Sequence, residues 1–494
     1  MHDFDPATTP VPAGHFVNGT RRETAAQMLA VRRPSDGQVY AELPLGDADL
    51  VDEAVCAAQR ALLSSNWSRC APRERAAILR RWADLMVAHV EELARLEALG
   101  STRPIAEAIS WDVPYAADCI RFFAEYADKA GGEIAATRSD HLGMMITEPY
   151  GVVGAIAPWN YPIQMAAWKV GPALAAGNAI VLKPSELTPF TAVRMAELAV
   201  AAGVPAGIFN VVQGTGPVVG EAICRHPGIS KISFTGSTRT GIAVMAMAAE
   251  SGLKPVTLEL GGKSPQLVFS DVPDMQRVAD CIARSIIFNA GQTCVAGTRL
   301  IVERSVQAEL VDRLCALMKQ AKVGPTWAST TKLPPIISAL QADRIDGIVR
   351  RSIESGAEAL TGGRRMHCDG DGAYYEPTLL MGVTSQTEAV RDEVFGPVLT
   401  VQSFEDDDEG LALADHPVYG LASGVHTGSL RRAMRAVREI KAGTVWVNRY
   451  GRTADHVIPT GGFKGSGIGK DLGRQAFEAN LRVKSTLIDF SIAT

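Results

Sequence analysis

The sequence predicts an α/β fold made of two parallel-sheet domains, with a small β element outside both. Three observations carry this. A chain of 494 residues is too long for one hydrophobic core. Short apolar runs alternate with amphipathic helical stretches, each run ending at a turn marked by glycine or proline. The alternation also restarts once, just past Gly261. Repeated strand–turn–helix units imply parallel strands covered by helices on both faces.

In chain order, residues 50–63, 73–99 and 105–129 carry apolar side chains at helical spacing. The second stretch is rich in Arg, Ala, Leu and Glu, which are good helix formers. Strands follow at 151–157, 179–182, 209–212 and 231–234, with helices at 189–202 and 218–224 and another from Thr240. Beyond Gly261, strands are expected at 265–269, 298–302, 399–404 and 444–447. Helices are expected there at 275–288, 306–322, 343–355 and 411–414. Residues 143–150 and 480–490 alternate apolar and polar side chains, so they read as strands outside the main sheets, paired with each other or with a neighbouring subunit.

Composition narrows the function classes. Hydrophobic residues make up 47% and charged residues 21%, ordinary for a soluble globular protein. With 49 basic against 54 acidic residues and no basic run, capture of nucleic acid or an acidic membrane is not expected. The acidic cluster at 405–409 reads as a solvated loop or helix start. Eight scattered cysteines without a CxxC or a Cys/His cluster argue against a disulfide framework and against a metal site. The apolar region 152–182 is broken by Pro158, Asn160, Pro162, Lys169 and Pro172, so it does not read as a membrane helix. The first residues lack the pattern of a signal peptide, which makes the expected location cytoplasmic.

Three places could carry chemistry. Two glycine-bearing turns follow strands, Gly214-Thr215-Gly216 with Gly220 and Gly236-Ser237 with Gly241. Neither spells GxGxxG, and either could be an ordinary turn; Thr235 and Ser237 favour the second, since hydroxyls beside a helix start suit a pyrophosphate. Cys294 lies on a bend after Asn289-Ala290-Gly291-Gln292-Thr293, where backbone N–H groups can favour a thiolate. The other seven cysteines sit in apolar or helical contexts. Glu259 ends an apolar run before Gly261 and Gly262. Burial would raise its pKa to suit a base, although pairing with Lys263 or facing water is equally open on spacing alone.

Seven strings occur in order: Pro158-Trp159-Asn160-Tyr161-Pro162, Lys183-Pro184-Ser185-Glu186, Phe234-Thr235-Gly236-Ser237, Glu259-Leu260-Gly261-Gly262-Lys263, Gly291-Gln292-Thr293-Cys294, Glu393-Val394-Phe395-Gly396-Pro397 and Gly461-Gly462-Phe463-Lys464-Gly465-Ser466-Gly467. Through them the chain resembles the aldehyde dehydrogenase superfamily from about residue 15 to its end. The resemblance implies two Rossmann-like domains: an NAD-binding domain of residues 1–126 and 150–260 and a catalytic domain of residues 261–474. It further implies a bridging element, residues 127–149 and 475–494, and with it a homodimer or homotetramer.

The same resemblance implies roles. Cys294 would attack a small-molecule aldehyde, Asn160 and the Cys294 backbone N–H would hold the oxyanion, and Glu259 would activate the water that hydrolyses the thioester. NAD is the implied cofactor, with Lys183 and Glu186 at the adenosine ribose, Gly236, Ser237 and Gly241 at the pyrophosphate turn, Glu393 at the nicotinamide ribose, and Trp159 and Phe395 packed nearby. A carboxylate at the ribose repels a 2′-phosphate and so favours NAD over NADP. The presence of Glu259 favours hydrolysis over acyl transfer to coenzyme A, the alternative within the family; a catalytically silent binding protein is the alternative outside it. Tyr161, Met165, Trp168 and Phe288 would form an apolar tunnel.

One stretch departs from the family. Pro459-Thr460-Gly461-Gly462 replaces the usual Pro-Phe-Gly-Gly, and residues 449–456 are charged where many members are apolar. Arg449 and Arg452 there either clamp an anionic substrate or face solvent or a subunit interface. No cysteine at 293, 295 or 296 offers Cys294 a redox partner.

Overall fold

The computed structural model describes residues 2–368 and 370–491. Residue 1 of the expected cofactor domain and 492–494 of the expected bridging element lie outside the described residues.

Five strands form the middle of the first sheet: β1 (Val152–Ile156), β2 (Ala179–Lys183), β3 (Phe209–Val211), β4 (Lys231–Thr235) and β5 (Val256–Glu259). They lie in the order β3-β2-β1-β4-β5 and pair in parallel. β1 to β4 are buried at every residue, the physical reason they read as continuous apolar runs. The order runs down from β3 to β1 and then jumps to β4. Connections therefore leave β1 and β4 toward opposite sides, and a crevice opens at their carboxyl ends.

The edges were not visible in the sequence. His15–Val17 pairs antiparallel with β3, and Thr20–Arg22 extends that edge. On the far side Gly467–Ile468 pairs antiparallel with β5. Residues 467–468 therefore rejoin the first sheet, a correction to the expectation that 261–474 forms one separate unit.

The second sheet contains β6 (Pro265–Val268), β7 (Arg299–Glu303), β8 (Thr378–Met381), β9 (Val398–Phe404), β10 (Ala422–His426) and β11 (Thr444–Val447). Its order is β8-β9-β7-β6-β10-β11, all parallel, with Glu358–Thr361 antiparallel on the β8 edge. A third sheet pairs His141–Pro149 with Leu481–Asp489 over nine residue pairs, and Glu133–Ala135 flanks it. The two alternating stretches thus find each other within the chain.

Two expected helices are interrupted. The 73–99 stretch divides into Pro72–Ala88 and Val90–Gly100 at His89, whose φ of -105° and ψ of 25° leave the helical region. The 105–129 stretch contains a π-helical turn at Ala108–Asp112, just before Pro114, which has no N–H to give its preceding turn. The 405–409 cluster begins a helix, with the Asp406 side chain accepting from Glu409 N. Among the described residues no helix is long and apolar enough to cross a membrane.

Candidate active site

Three helices frame the crevice: α1 (Pro162–Ala175), α2 (Thr238–Glu250) and α3 (Met275–Ile287). A cleft of about 1910 Å³ runs between the two main sheets. Trp159, Gly236, Ser237, Glu393 and Phe395 line one half, and Tyr161, Met165, Trp168, Phe288, Arg449 and Arg452 line the other. Asn160 and Cys294 line it as well. Glu259 lies one residue behind the lining Leu260 and is 5% exposed.

Cys294 is delivered by a turn held from all sides. After α3, the residues Asn289, Ala290 and Gly291 take left-handed backbone, with φ of 51°, 49° and 69°. For residues with a Cβ that costs roughly 1–2 kcal/mol each, so something must hold them there. Asn289 Nδ2 donates to Asn160 O at 3.1 Å and Gln292 O at 3.2 Å, and Thr102 Oγ1 donates to Asn289 Oδ1 at 2.6 Å. Gln292 Nε2 donates to Asn289 O and Pro335 O, both at 3.0 Å, while its Oε1 accepts from Ile337 N at 2.9 Å. At Gly291 a Cβ would run into the Gly396 carbonyl. Asn160 Nδ2 donates to Gln292 O at 3.0 Å, which fixes its amide plane and leaves a second N–H for the cleft. Burial pushes the Cys294 thiol up to about 11; the Arg452 charge is the largest influence opposing this, and Glu259 and Glu393 reinforce it.

Glu259 ends β5 in a different environment. Its Oε1 is buried without a hydrogen-bond partner. Burial raises the carboxyl to about 8, Asp471 adds repulsion, and Arg452, Lys169 and Lys470 pull the other way. Behind it, Lys169 Nζ sits 3.6 Å from Asp471 Oδ2 and 3.2 Å from Ser233 Oγ. Gly261 and Gly262 let the chain pass on: a Cβ on the first would strike the Glu393 carboxylate and one on the second the Cys294 carbonyl.

A model of the aldehyde dehydrogenase family matches residues 21–486. The chain belongs to that family. It is 40% identical over 487 residues to an aminoacetaldehyde dehydrogenase of Pseudomonas aeruginosa, covering 98% of this chain and 97% of that one. It is 42% identical over 478 residues to an NADP/NAD-dependent aldehyde dehydrogenase of Escherichia coli, covering 96% and 95%. A P. syringae indole-3-acetaldehyde dehydrogenase solved in complex with NAD+ matches at a TM-score of 0.96 and 39% identity, with 98% of each chain covered.

The remaining expected positions of this aldehyde dehydrogenase divide clearly. Glu393 Oε1 accepts from Gly262 N at 3.0 Å, and burial raises its carboxyl to about 7. Arg344 donates to the Glu393 and Val394 carbonyls at 2.7 and 2.9 Å, and Phe395 (φ 56°) meets Trp159 edge-on at 5.3 Å. Lys183 and Glu186 lie outside the cleft lining, at the end of β2, joined at 3.0 Å. Gly241 is a packing position within α2, where a Cβ would meet Leu260.

Sequence reasoning missed a buried support beneath the apolar tunnel. Arg103 is 0% exposed, paired at 2.8 Å with both Glu107 and Asp112. Its guanidinium lies 4.7 Å from the Tyr161 ring centroid and 4.5 Å from that of Phe288. Nothing in the periodicity of 90–112 marks Arg103 as buried, because its partners come from separate turns and from Tyr161 and Phe288. Among the described residues no group of acids, histidines and cysteines could hold a metal ion.

Proposed function

We propose that this protein oxidises an aldehyde to the carboxylic acid with NAD, using Cys294 as nucleophile. The observation that carries the reading is that Asn160 and Cys294 line one cleft, held together through Gln292, with Glu259 buried just behind the lining Leu260. Both curated relatives are aldehyde dehydrogenases, and the structural neighbour holds NAD+. Their named aldehydes, aminoacetaldehyde and indole-3-acetaldehyde, differ in charge and bulk, so the chemical step transfers more readily than any one substrate.

The residues present fit NAD. Thr235 Oγ1 is buried without a partner at the crevice, and Gly236 and Ser237 lead into α2, a 13-residue helix whose first N–H groups suit a pyrophosphate. Glu186 and Glu393 are read as the acceptors for ribose hydroxyls, and a carboxylate at Glu186 would disfavour a 2′-phosphate. Bound NAD would supply the hydride acceptor.

The chain's own residues do the rest. The Cys294 thiolate forms a C–S bond to the aldehyde carbon, and the carbonyl electron pair moves onto oxygen. That oxyanion takes the free N–H of Asn160 and the backbone N–H of Cys294. After hydride loss the acyl group remains on Cys294 as a thioester. Glu259 draws a proton from water as the water adds to the acyl carbon; the C–S bond breaks, and acid and thiolate are released. The third sheet, with Ile134, Val483 and Leu487 exposed, is read as the bridging surface of a homodimer or a dimer of dimers.

Protein mixed with NAD and an aldehyde panel should generate NADH and free acid, followed by absorbance and product analysis. NADH from no aldehyde would overturn the reading, and an acyl-CoA product on adding coenzyme A would replace hydrolysis by acyl transfer.

A further inference from the structure

We infer that Arg452 binds the far-end carboxylate of the substrate, so the aldehyde this cleft takes is a short anionic one. The inference rests on the proposed role of Cys294 and adds the substrate class.

Six arginines line the cleft, among them Arg277, Arg284, Arg449 and Arg452. Among the described residues none of them forms an ion pair. Four acids line it: Glu107 pairs with Arg103 at 2.8 Å, whereas Asp274, Asp280 and Glu393 accept only from neutral donors and face no paired cation. The arginines therefore outnumber the acids along the wall.

Arg452 differs from the other three in depth and support. It is half-buried, whereas Arg277, Arg284 and Arg449 are exposed. Its guanidinium lies over the Trp168 ring at 4.8 Å. A face seated on an indole keeps its edge N–H groups free, and a guanidinium edge matches a carboxylate with two parallel hydrogen bonds. The loop that carries it is fixed beside the nucleophile. Tyr450 OH donates to Val295 O at 2.6 Å, Asn448 exchanges hydrogen bonds with Thr427 at 2.9 and 3.0 Å, and Gly451 turns at φ 91°.

Length follows from proximity. Tyr450, two residues before Arg452, bonds Val295, the residue after Cys294, so a carboxylate bound to Arg452 stands close to the carbon that Cys294 attacks. Glu259 stands behind the cleft lining rather than in it, and burial disfavours its charged form. An ω-ammonium aldehyde of the same length would instead meet an unpaired cation.

The test uses three aldehydes of one carbon chain: butanal, its ω-carboxylate 4-oxobutanoate and its ω-trimethylammonium analogue, whose nitrogen cannot condense with the aldehyde. The wild-type enzyme should favour the carboxylate over butanal by about tenfold or more in kcat/KM, with the ammonium aldehyde last. In Arg452→Gln that ratio should fall by about tenfold or more, and Arg452→Lys should restore part of it. Using the ratio cancels any change in thiol reactivity common to all three aldehydes. Titration of the enzyme with succinate, with and without NAD, should show weaker binding in Arg452→Gln; this readout stands even if no aldehyde is turned over, an outcome that would count against the proposed function instead. Turnover of butanal or the trimethylammonium aldehyde at least as good as 4-oxobutanoate, or a ratio and a succinate affinity unchanged by Arg452→Gln, would overturn the inference.

Discussion

Cys294 is reached through a turn held by the side chains of two of its own residues and their buried partners, whereas Glu259 ends a regular strand with its Oε1 meeting no donor. Two buried amides, Asn289 and Gln292, hold the first in left-handed backbone; only burial and distant charges act on the second. On the proposed mechanism the contrast separates two demands. A nucleophile must meet a carbon at one distance and angle, so its backbone is over-determined. A base for a mobile water needs basicity more than fixed position, and any donor to its carboxylate would lower that basicity.

The comparison can be broken in several ways. Cys294→Ala should lower aldehyde oxidation by more than about 10⁴-fold, since no other group can form the acyl bond; residual NADH formation near wild type would remove the nucleophile from the argument. Asn160→Ala should cost about 10²–10³ in kcat through loss of an oxyanion donor, measured in the steady state at saturating aldehyde. Glu259→Gln should retain a rapid first turnover in stopped flow and then slow by about 10²-fold. An equal fall in both phases would place Glu259 before the thioester. Asn289→Ala, removing three buried hydrogen bonds, should lower stability by about 2–4 kcal/mol in denaturant unfolding, with Asn289→Gly intermediate because only the backbone cost is relieved. An unchanged midpoint would mean the turn is held by something else.

The smallest effect is a pH dependence. With its folded value raised to about 8, Glu259 accepts a proton from water only as pH passes that value, so deacylation-limited turnover should climb through it. Stability moves the other way. Between the ordinary carboxyl value and about 8, the folded state holds a proton that the unfolded state has lost, so stability falls as pH rises across that window. Glu259→Gln should flatten this part of a melting-temperature profile.

Strand content, and the alternation of 143–150 and 480–490, were legible because strands write a period into the sequence; whether those two pair with each other or with a neighbouring subunit was left open until the structure paired them. The edge strands were not legible. His15–Val17 and Gly467–Ile468 are three and two residues long, and pairing across 190 or more residues leaves no local trace. Within the candidate site, the motifs around Cys294, Asn160 and Glu259 could be picked out in the sequence, and the structure brings Asn160 and Cys294 to one cleft with Glu259 just behind its lining. Arg103 was invisible, and Arg452 stayed open between cleft and solvent, because both depend on ring faces brought from elsewhere in the chain. Gly241 packs on Leu260, the close helix contact that the last glycine of a dinucleotide-binding turn supplies.

The return of Gly467–Ile468 to β5 has a mechanical consequence. The chain crosses between the main sheets at Gly261-Gly262 and crosses back after β11, so the two halves are pinned at two points rather than one. A third tie needs no crossing of the chain: residues 34–36 and 98–105 hydrogen-bond to Thr326 and to 371–374. The cleft is thus braced at separated places, and its walls hold their spacing without any ligand between them.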